Sequence, residues 1–234
     1  TLACRQQRSR YRNMTQTRHI GLMSGTSLDG VDAALVDFNS TPRLVATHFI
    51  PYPSDLRSEL LALHSPGHNE LHQAAILSGR LAQLYAIAVR NLLADAAVQS
   101  ADVAAIGCHG QTIRHRPEHG YTIQLNNPAL LAELTGISVA ADFRSRDIAA
   151  GGQGAPLVPA FHAAIFRKAG VNRVILNIGG IANVTFLPGD RESPVRGFDT
   201  GPGNVLLDAW ISDSLDGPCD TAGAWAAGGR VDAR

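Results

Sequence analysis

Lysine is almost missing from this sequence of 234 residues: Lys168 is the only one, and every other basic residue is arginine. Any mechanism that needs a lysine elsewhere is thereby excluded. Cysteine is scarce too. Cys4, Cys108 and Cys219 lie far apart, are odd in number and form no CxxC pair, which argues against a disulfide framework or a zinc knuckle and fits a reducing cytoplasm. Net charge is absent, 20 Lys and Arg facing 20 Asp and Glu. A neutral chain carries no electrostatic footprint for nucleic acid or an anionic membrane surface, so neither is an expected partner. No apolar run reaches the roughly 18 residues that a membrane-spanning helix needs. The first residues also lack a signal peptide's apolar stretch: Arg5, Arg8, Arg10, Arg12 and Arg18 occur there without one acid. Residues 1–18 read as a disordered or over-extended start upstream of Met14, with a transit peptide as the alternative, and are set apart from the fold.

What is present suffices for a sizeable core. Hydrophobic residues make up 45% of the chain, and at roughly 100–200 residues per domain its length fits one large or two small domains. Residues 19–24, 31–38 and 43–50 read as strands of an antiparallel meander around a turn at 25–30. Ser54 is a candidate cap for a helix carrying Leu56, Leu60 and Leu63 on one face. A long helix starts near Asn69, with an apolar stripe from Leu71, Ala74, Ala75 and Ile76 through Leu81, Leu84, Ala88 and Leu92. A strand at 103–108 runs into the polar string His109-Gly110-Gln111-Thr112, and another strand follows at 121–125. Asn127 as cap, Pro128 at the first position and Gly136 as stop delimit a short helix. A strand at 137–141 ends in the polar segment 142–147. Then come a glycine-rich loop at 151–154 and a helix at 156–169. A second hairpin, 174–179 with 183–187 around Gly180, echoes the first. Strands alternating with helices, and polar groups at strand ends, predict an α/β fold with a mixed sheet and flanking helices.

Three concentrations of residues carry chemistry. Gly25-Thr26-Ser27-Leu28-Asp29-Gly30 has the glycine spacing of a phosphate loop, but Val31-Asp32 stand where Lys-Ser/Thr would follow, and the turn joins two strands. It is not a P-loop. A glycine turn with two hydroxyls still offers donors to phosphate oxygens, and Asp29 and Asp32 are candidate magnesium ligands. An ordinary hairpin turn is the plainer reading. The second concentration is Gly197-Phe198-Asp199-Thr200-Gly201-Pro202-Gly203-Asn204. Asp199 is a candidate general base, and a helix starting near Asn204 would favour an anion at the turn. The alternative is that Asp199 or Asn204 simply caps that helix. The third is spread out: His109, Gln111, Thr112, Arg144, Arg146, Asp147 and the 152–154 loop lie where ligands bind α/β sheets, at strand ends. Zinc held by His109, His115 and His119 matches no standard ligand spacing. His162 reads as a structural or exposed histidine.

Seven strings stand in one order: the stretch from Gly21 to Gly30, His109-Gly110-Gln111-Thr112-Ile113-Arg114-His115, Asn127-Pro128, Ala141-Asp142-Phe143-Arg144, the run from Gly151 to Pro159, Leu176-Asn177-Ile178-Gly179-Gly180-Ile181-Ala182-Asn183, and the string from Gly197 to Asn204. Together they resemble a family, the anhydro-N-acetylmuramic acid kinases of the actin–hexokinase–heat-shock chaperone superfamily. The resemblance implies an actin/hexokinase-like (ribonuclease H-like) fold: a complete first lobe over 19–172, holding the phosphate loop and sugar-site residues, and the start of a second over 173–234. Members of the family continue well past Arg234, so it also implies a truncated second lobe. It assigns ATP phosphates to Gly25, Thr26, Ser27, Leu28, Asp29, Gly30, Val31 and Asp32, with Mg2+ at Asp29 and Asp32. Asp199 becomes the catalytic base, and His109, Thr112 and Arg144 or Arg146 contact the sugar. The implied reaction opens the 1,6-anhydro bond of 1,6-anhydro-N-acetylmuramic acid and phosphorylates its 6-hydroxyl, a step of peptidoglycan recycling in the cytoplasm. Two other readings stand beside it: a plain sugar kinase of the same superfamily, and a non-catalytic sugar-binding remnant. The oligomeric state is left open, a homodimer included.

Overall fold

The computed structural model describes residues 16–231. Residues 1–15, most of the expected N-terminal extension, lie outside the described residues. The chain forms two compact units, one comprising residues up to His115 with Thr122–Phe143, the other Arg116–Tyr121 with everything from Arg144 on.

In the first unit, β1 (Arg18–Ser24), β2 (Gly30–Asp37) and β3 (Arg43–Pro51) form the expected meander. Only alternate side chains of β1 are buried: Ile20, Leu22 and Ser24 face the core, while Gly21 and Met23 face out. Helices α1 (Ser54–Ala62) and α2 (Glu70–Asp95) follow. Pro53 occupies the N-cap of α1 and Ser54 lies inside it, so the expected serine cap is not made. On α2 the buried face is Leu77, Leu81, Tyr85, Val89 and Leu92. Leu71 and Ile76 of the expected stripe point to solvent instead, because the face that packs on β2 and β3 is chosen by the sheet and not by the helix alone.

Strand β4 (Val103–Arg116) runs well beyond its expected end, so His109, Gln111 and Thr112 belong to the strand. It bends at Gly110, whose φ of 78° and closeness to the Leu125 carbonyl admit no side chain. β5 (Tyr121–Leu125) pairs with β4. Helix α3 (Pro128–Thr135) has the expected punctuation: Asn127 Oδ1 accepts from the Leu130 amide at 3.0 Å, and Gly136 closes the helix in the left-handed region. β6 is short (Val139–Ala140). β1, β4 and β6 are parallel and β2 runs against them; the sheet order is β3-β2-β1-β4-β5, with β6 pairing β4 at Ile106 and Gly107. That is the mixed sheet of a ribonuclease H-like fold. Its core is one continuous cluster from Ile20 and Leu22 through Leu81 and Tyr85 to Leu131 and Ile137.

In the second unit, the polar segment expected after β6 is helical, α4 (Phe143–Ala149). Helix α5 (Val158–Phe166) packs on a three-stranded antiparallel sheet of β7 (Arg173–Ile178), β8 (Ile181–Leu187) and β9 (Arg196–Pro202). His162 is buried there and bonds through Nδ1 to Thr185 Oγ1 at 2.9 Å, a structural histidine. Helix α6 (Val205–Leu215) follows.

Candidate active site

The loop between β1 and β2 starts from Ser24 at the carboxyl end of a parallel strand, where open α/β sheets bind ligands. The Leu28 amide donates to the Gly25 carbonyl at 3.3 Å and closes the turn. Leu28 holds a left-handed φ of 56°, unusual for a leucine; its side chain is anchored in the core, 3% exposed, and that burial offsets the backbone strain. Thr26 and Ser27 are exposed, and the Ser27 hydroxyl donates to Asp29 Oδ1 at 2.9 Å. A Cβ at Gly30 would overlap the Ile50 carbonyl and the Phe49 ring, so only glycine lets β2 approach β3 there. Burial and the nearby Asp29 charge both push the Asp32 carboxyl above its ordinary value. Two acids that repel each other beside a loop of donors suit a cation with few protein ligands, as magnesium is.

Next to this loop, Ser24 of β1 is level with Gln111 of β4. His109 Nδ1 donates to the Gly110 carbonyl at 2.6 Å, which places the ring proton on that nitrogen. Thr112 Oγ1 accepts from Gln124 Nε2 at 3.2 Å. Among the described residues no three His, Cys, Asp or Glu side chains gather as a metal cluster, so the zinc reading of His109, His115 and His119 gains no support. Sequence reasoning missed Tyr52 and Tyr85 here. Both are buried, and their hydroxyls reach Gln111 (3.1 Å) and Ser24 (2.9 Å). Each is embedded in an apolar stretch far along the chain, and an isolated tyrosine gives no signal of its partner.

The second unit brings Arg144 and Asp199 into electrostatic reach of each other. Burial pulls the Arg144 guanidinium below its ordinary value, and the Asp199 carboxylate works against that shift. Arg144 Nη1 donates to the Gly154 carbonyl at 2.6 Å, while Asp147 Oδ2 accepts from the Gly154 amide at 2.7 Å, so α4 clamps the glycine loop from both sides. Arg146, two residues on, falls on another face of α4 and is exposed.

Asp199 sits within β9, exposed and level with Asn183 across the ladder, beside a bulge between Ala182 and Asn183. Of the two residues in the capping alternative, Asn204 occupies the N-cap position of α6 but makes no side-chain cap bond. Asp199 lies in the strand, and Asn204 Nδ2 donates to Asp208 Oδ2 at 2.9 Å. The amides of Gly203 and Asn204 donate to the Gly180 and Gly179 carbonyls, each at 2.9 Å, so the start of α6 braces the β7–β8 turn with the donors expected to favour an anion.

The model of the family described as anhydro-N-acetylmuramic acid kinase matches residues 17–234. The chain belongs to this family. It is 58% identical over 220 residues to the anhydro-N-acetylmuramic acid kinase of Cupriavidus pinatubonensis, covering 92% of this chain and 58% of that protein. The enzyme of that name from Bordetella pertussis is 61% identical over 213 residues, covering 91% of this chain and 56% of its own. That from Pseudomonas syringae pv. syringae is 58% identical over 214 residues, with 92% and 58% covered. The chain thus spans somewhat over half the length of these curated relatives. Among solved structures, the ethanolamine utilization protein EutJ from Carboxydothermus hydrogenoformans aligns at a TM-score of 0.39 and 12% identity, over 89% of this chain and 60% of that one. At that level it adds nothing to the strand order.

Proposed function

We propose that this chain carries the phosphate loop and the general base of an ATP-dependent carbohydrate kinase acting on 1,6-anhydro-N-acetylmuramic acid. The observation that carries the reading is the identity of 58% or more to the three curated kinases above across nearly the whole chain, with Asp199 and the 25–32 loop in place. Asp199 takes a proton from water as the water oxygen bonds to the anomeric carbon. The bond from that carbon to the bridging oxygen breaks, and the oxygen leaves as the six-position alkoxide. It attacks the γ-phosphorus of ATP and ADP departs, giving N-acetylmuramic acid 6-phosphate. The phosphoryl group thus does the work of the general acid that most glycosidases take from a second carboxyl. Backbone and hydroxyl donors of Gly25, Thr26, Ser27, Gly30 and Val31 hold the phosphates, with Leu28 anchoring the turn in the core, since positioning and electrostatics dominate phosphoryl transfer. Asp29 and Asp32 hold magnesium, which draws charge from the phosphoryl oxygens when it is bound.

On the sugar side stand His109, Thr112 and an arginine. Half-buried Arg144, tied to Gly154 and within electrostatic reach of Asp199, is the better partner for the lactyl carboxylate than exposed Arg146. The setting is the cytoplasm. No helix among the described residues is long and apolar enough to cross a membrane.

The test is turnover of ATP and the anhydro sugar by the protein completed to the length of its relatives, in water labelled with heavy oxygen and quenched early. The expected product gains one phosphoryl group and one water, with the label on the anomeric carbon. A product that gains a phosphoryl group alone identifies a plain sugar kinase and overturns the reading.

A further inference from the structure

Beneath the phosphate loop lies a polar assembly that the reaction above does not use. Gln111 is fully buried, 0% exposed, and a buried amide is costly unless both of its ends are bonded. Here both are. Nε2 donates to the Gly25 carbonyl at 3.0 Å and, at the longer distance of 3.4 Å, to the Thr112 carbonyl, and Oε1 accepts from the Tyr52 hydroxyl at 3.1 Å. The orientation is fixed by chemistry, because a carbonyl can only accept: the NH2 group must face Gly25, the amide oxygen must face Tyr52, and Tyr52 must donate. Tyr52 returns to the same loop at its other end, its backbone amide donating to the Asp29 carbonyl at 2.9 Å. One closed bracket therefore runs from Gly25 through Gln111 and Tyr52 to Asp29. Ser24, where the loop begins, is held as well: its hydroxyl donates to the Gly110 carbonyl at 3.1 Å and accepts from Tyr85 at 2.9 Å.

We infer that Gln111, acting through Tyr52, is a positioning residue that sets the spacing of Gly25 and Asp29 and so holds the 25–29 loop in the shape that receives the nucleotide's phosphates. The role in phosphate binding rests on the proposed function; the bracket itself does not. A loop of five residues held at both carbonyls needs no ordering when the anion arrives, and the cost of that ordering otherwise appears as weaker binding. Gln111 touches no reacting atom. The Thr112 hydroxyl on the sugar side is held separately by Gln124, so the loss of Gln111 should act chiefly on the nucleotide.

Two measurements decide this. In the present chain, hydrogen exchange at the 25–29 amides should quicken about ten-fold in Gln111→Leu, the worth of roughly one net hydrogen bond, with α3 unchanged. Tyr52→Phe, which keeps the ring and the backbone bond, should show a smaller rise. In the protein completed to the length of its relatives, Gln111→Leu should raise KM for magnesium ATP about ten-fold, leaving KM for the sugar and kcat within about two-fold. Unchanged exchange at 25–29 in a folded variant overturns the bracket. A parallel rise in both KM values, or a fall in kcat alone, overturns the positioning role. If Gln111→Leu does not fold, Tyr52→Phe carries the same comparison at smaller amplitude. If the parent protein makes no 6-phosphate, the proposed function falls, and the exchange measurement still decides the bracket.

Discussion

The β1–β2 turn and the β7–β8 turn each follow a short apolar strand and each contain glycine, yet they are held differently. At the first, the Gly25 carbonyl accepts from the Leu28 amide within the turn and also from a side chain 86 positions away, that of Gln111. At the second, the Gly179 and Gly180 carbonyls are taken by backbone amides at the start of α6. A turn held by a side chain can be loosened by one substitution that leaves the backbone in place. A turn held by backbone is indifferent to side chains until one of them no longer fits. The sheets differ as well. Leu22 of β1 is 3% exposed beneath the helices, whereas Leu176 of β7 is 57% exposed.

The largest expected effect tests the chemistry assigned to the second region. Asp199→Asn in the protein completed to the length of its relatives should lower the rate of 6-phosphate formation by about 10²–10⁴. A loss under ten-fold in a steady-state assay would remove Asp199 from the role of base. Next comes packing. Leu22→Ala should cost about 2–5 kcal/mol in urea denaturation, and Leu176→Ala less than about 0.5 kcal/mol. Equal costs would break the contrast between the two sheets.

The glycines sharpen it. A Cβ at Gly203 would overlap the Gly179 carbonyl, while one at Gly25 would meet only Ser27, its Oγ at 3.4 Å and its amide nitrogen at 4.0 Å. Gly203→Ala should therefore cost about 1–3 kcal/mol, and Gly25→Ala should leave the denaturation midpoint nearly unmoved. A smaller effect concerns caps. Asn127→Ala removes a made cap and should cost about 1 kcal/mol, but Asn204→Ala removes none and should cost less in the same denaturation experiment.

The smallest effect is electrostatic. The folded state raises the Asp32 carboxyl above its unfolded value, so the protonated form is favoured on folding. Its stabilising contribution is full below the ordinary aspartate range near pH 4 and is lost as pH rises through the folded value. Asp32→Asn should raise the urea midpoint slightly at pH 7, and that gain should vanish in acid. The same substitution should weaken magnesium-dependent ATP use.

Much of the first region was legible because its signals are local. Asn127, Pro128 and Gly136 marked α3 correctly, since cap, first turn and stop depend on residues within one helix. Leu71 and Ile76 misled because periodicity shows that a helix has an apolar face but not which face a sheet will cover. The segment 142–147 was read as a polar strand end, although α4 starts at Phe143. The 25–32 string and Asp199 were visible through glycine spacing and a lone acid in a turn. Tyr52 and Tyr85 were not, because a buried hydroxyl's partner lies across the fold.

The sequence by itself determined the alternation of strands and helices, the cap and stop of α3, and the family. These follow from side-chain period, backbone freedom and ordered strings, all carried along the chain. Only the tertiary structure decided that Gln111 and Tyr52 close on the 25–29 loop, and that Arg144 is half-buried within electrostatic reach of Asp199 while Arg146 is exposed. A hydrogen bond or a buried charge exists only once distant segments share one low-dielectric place. That place is made by packing.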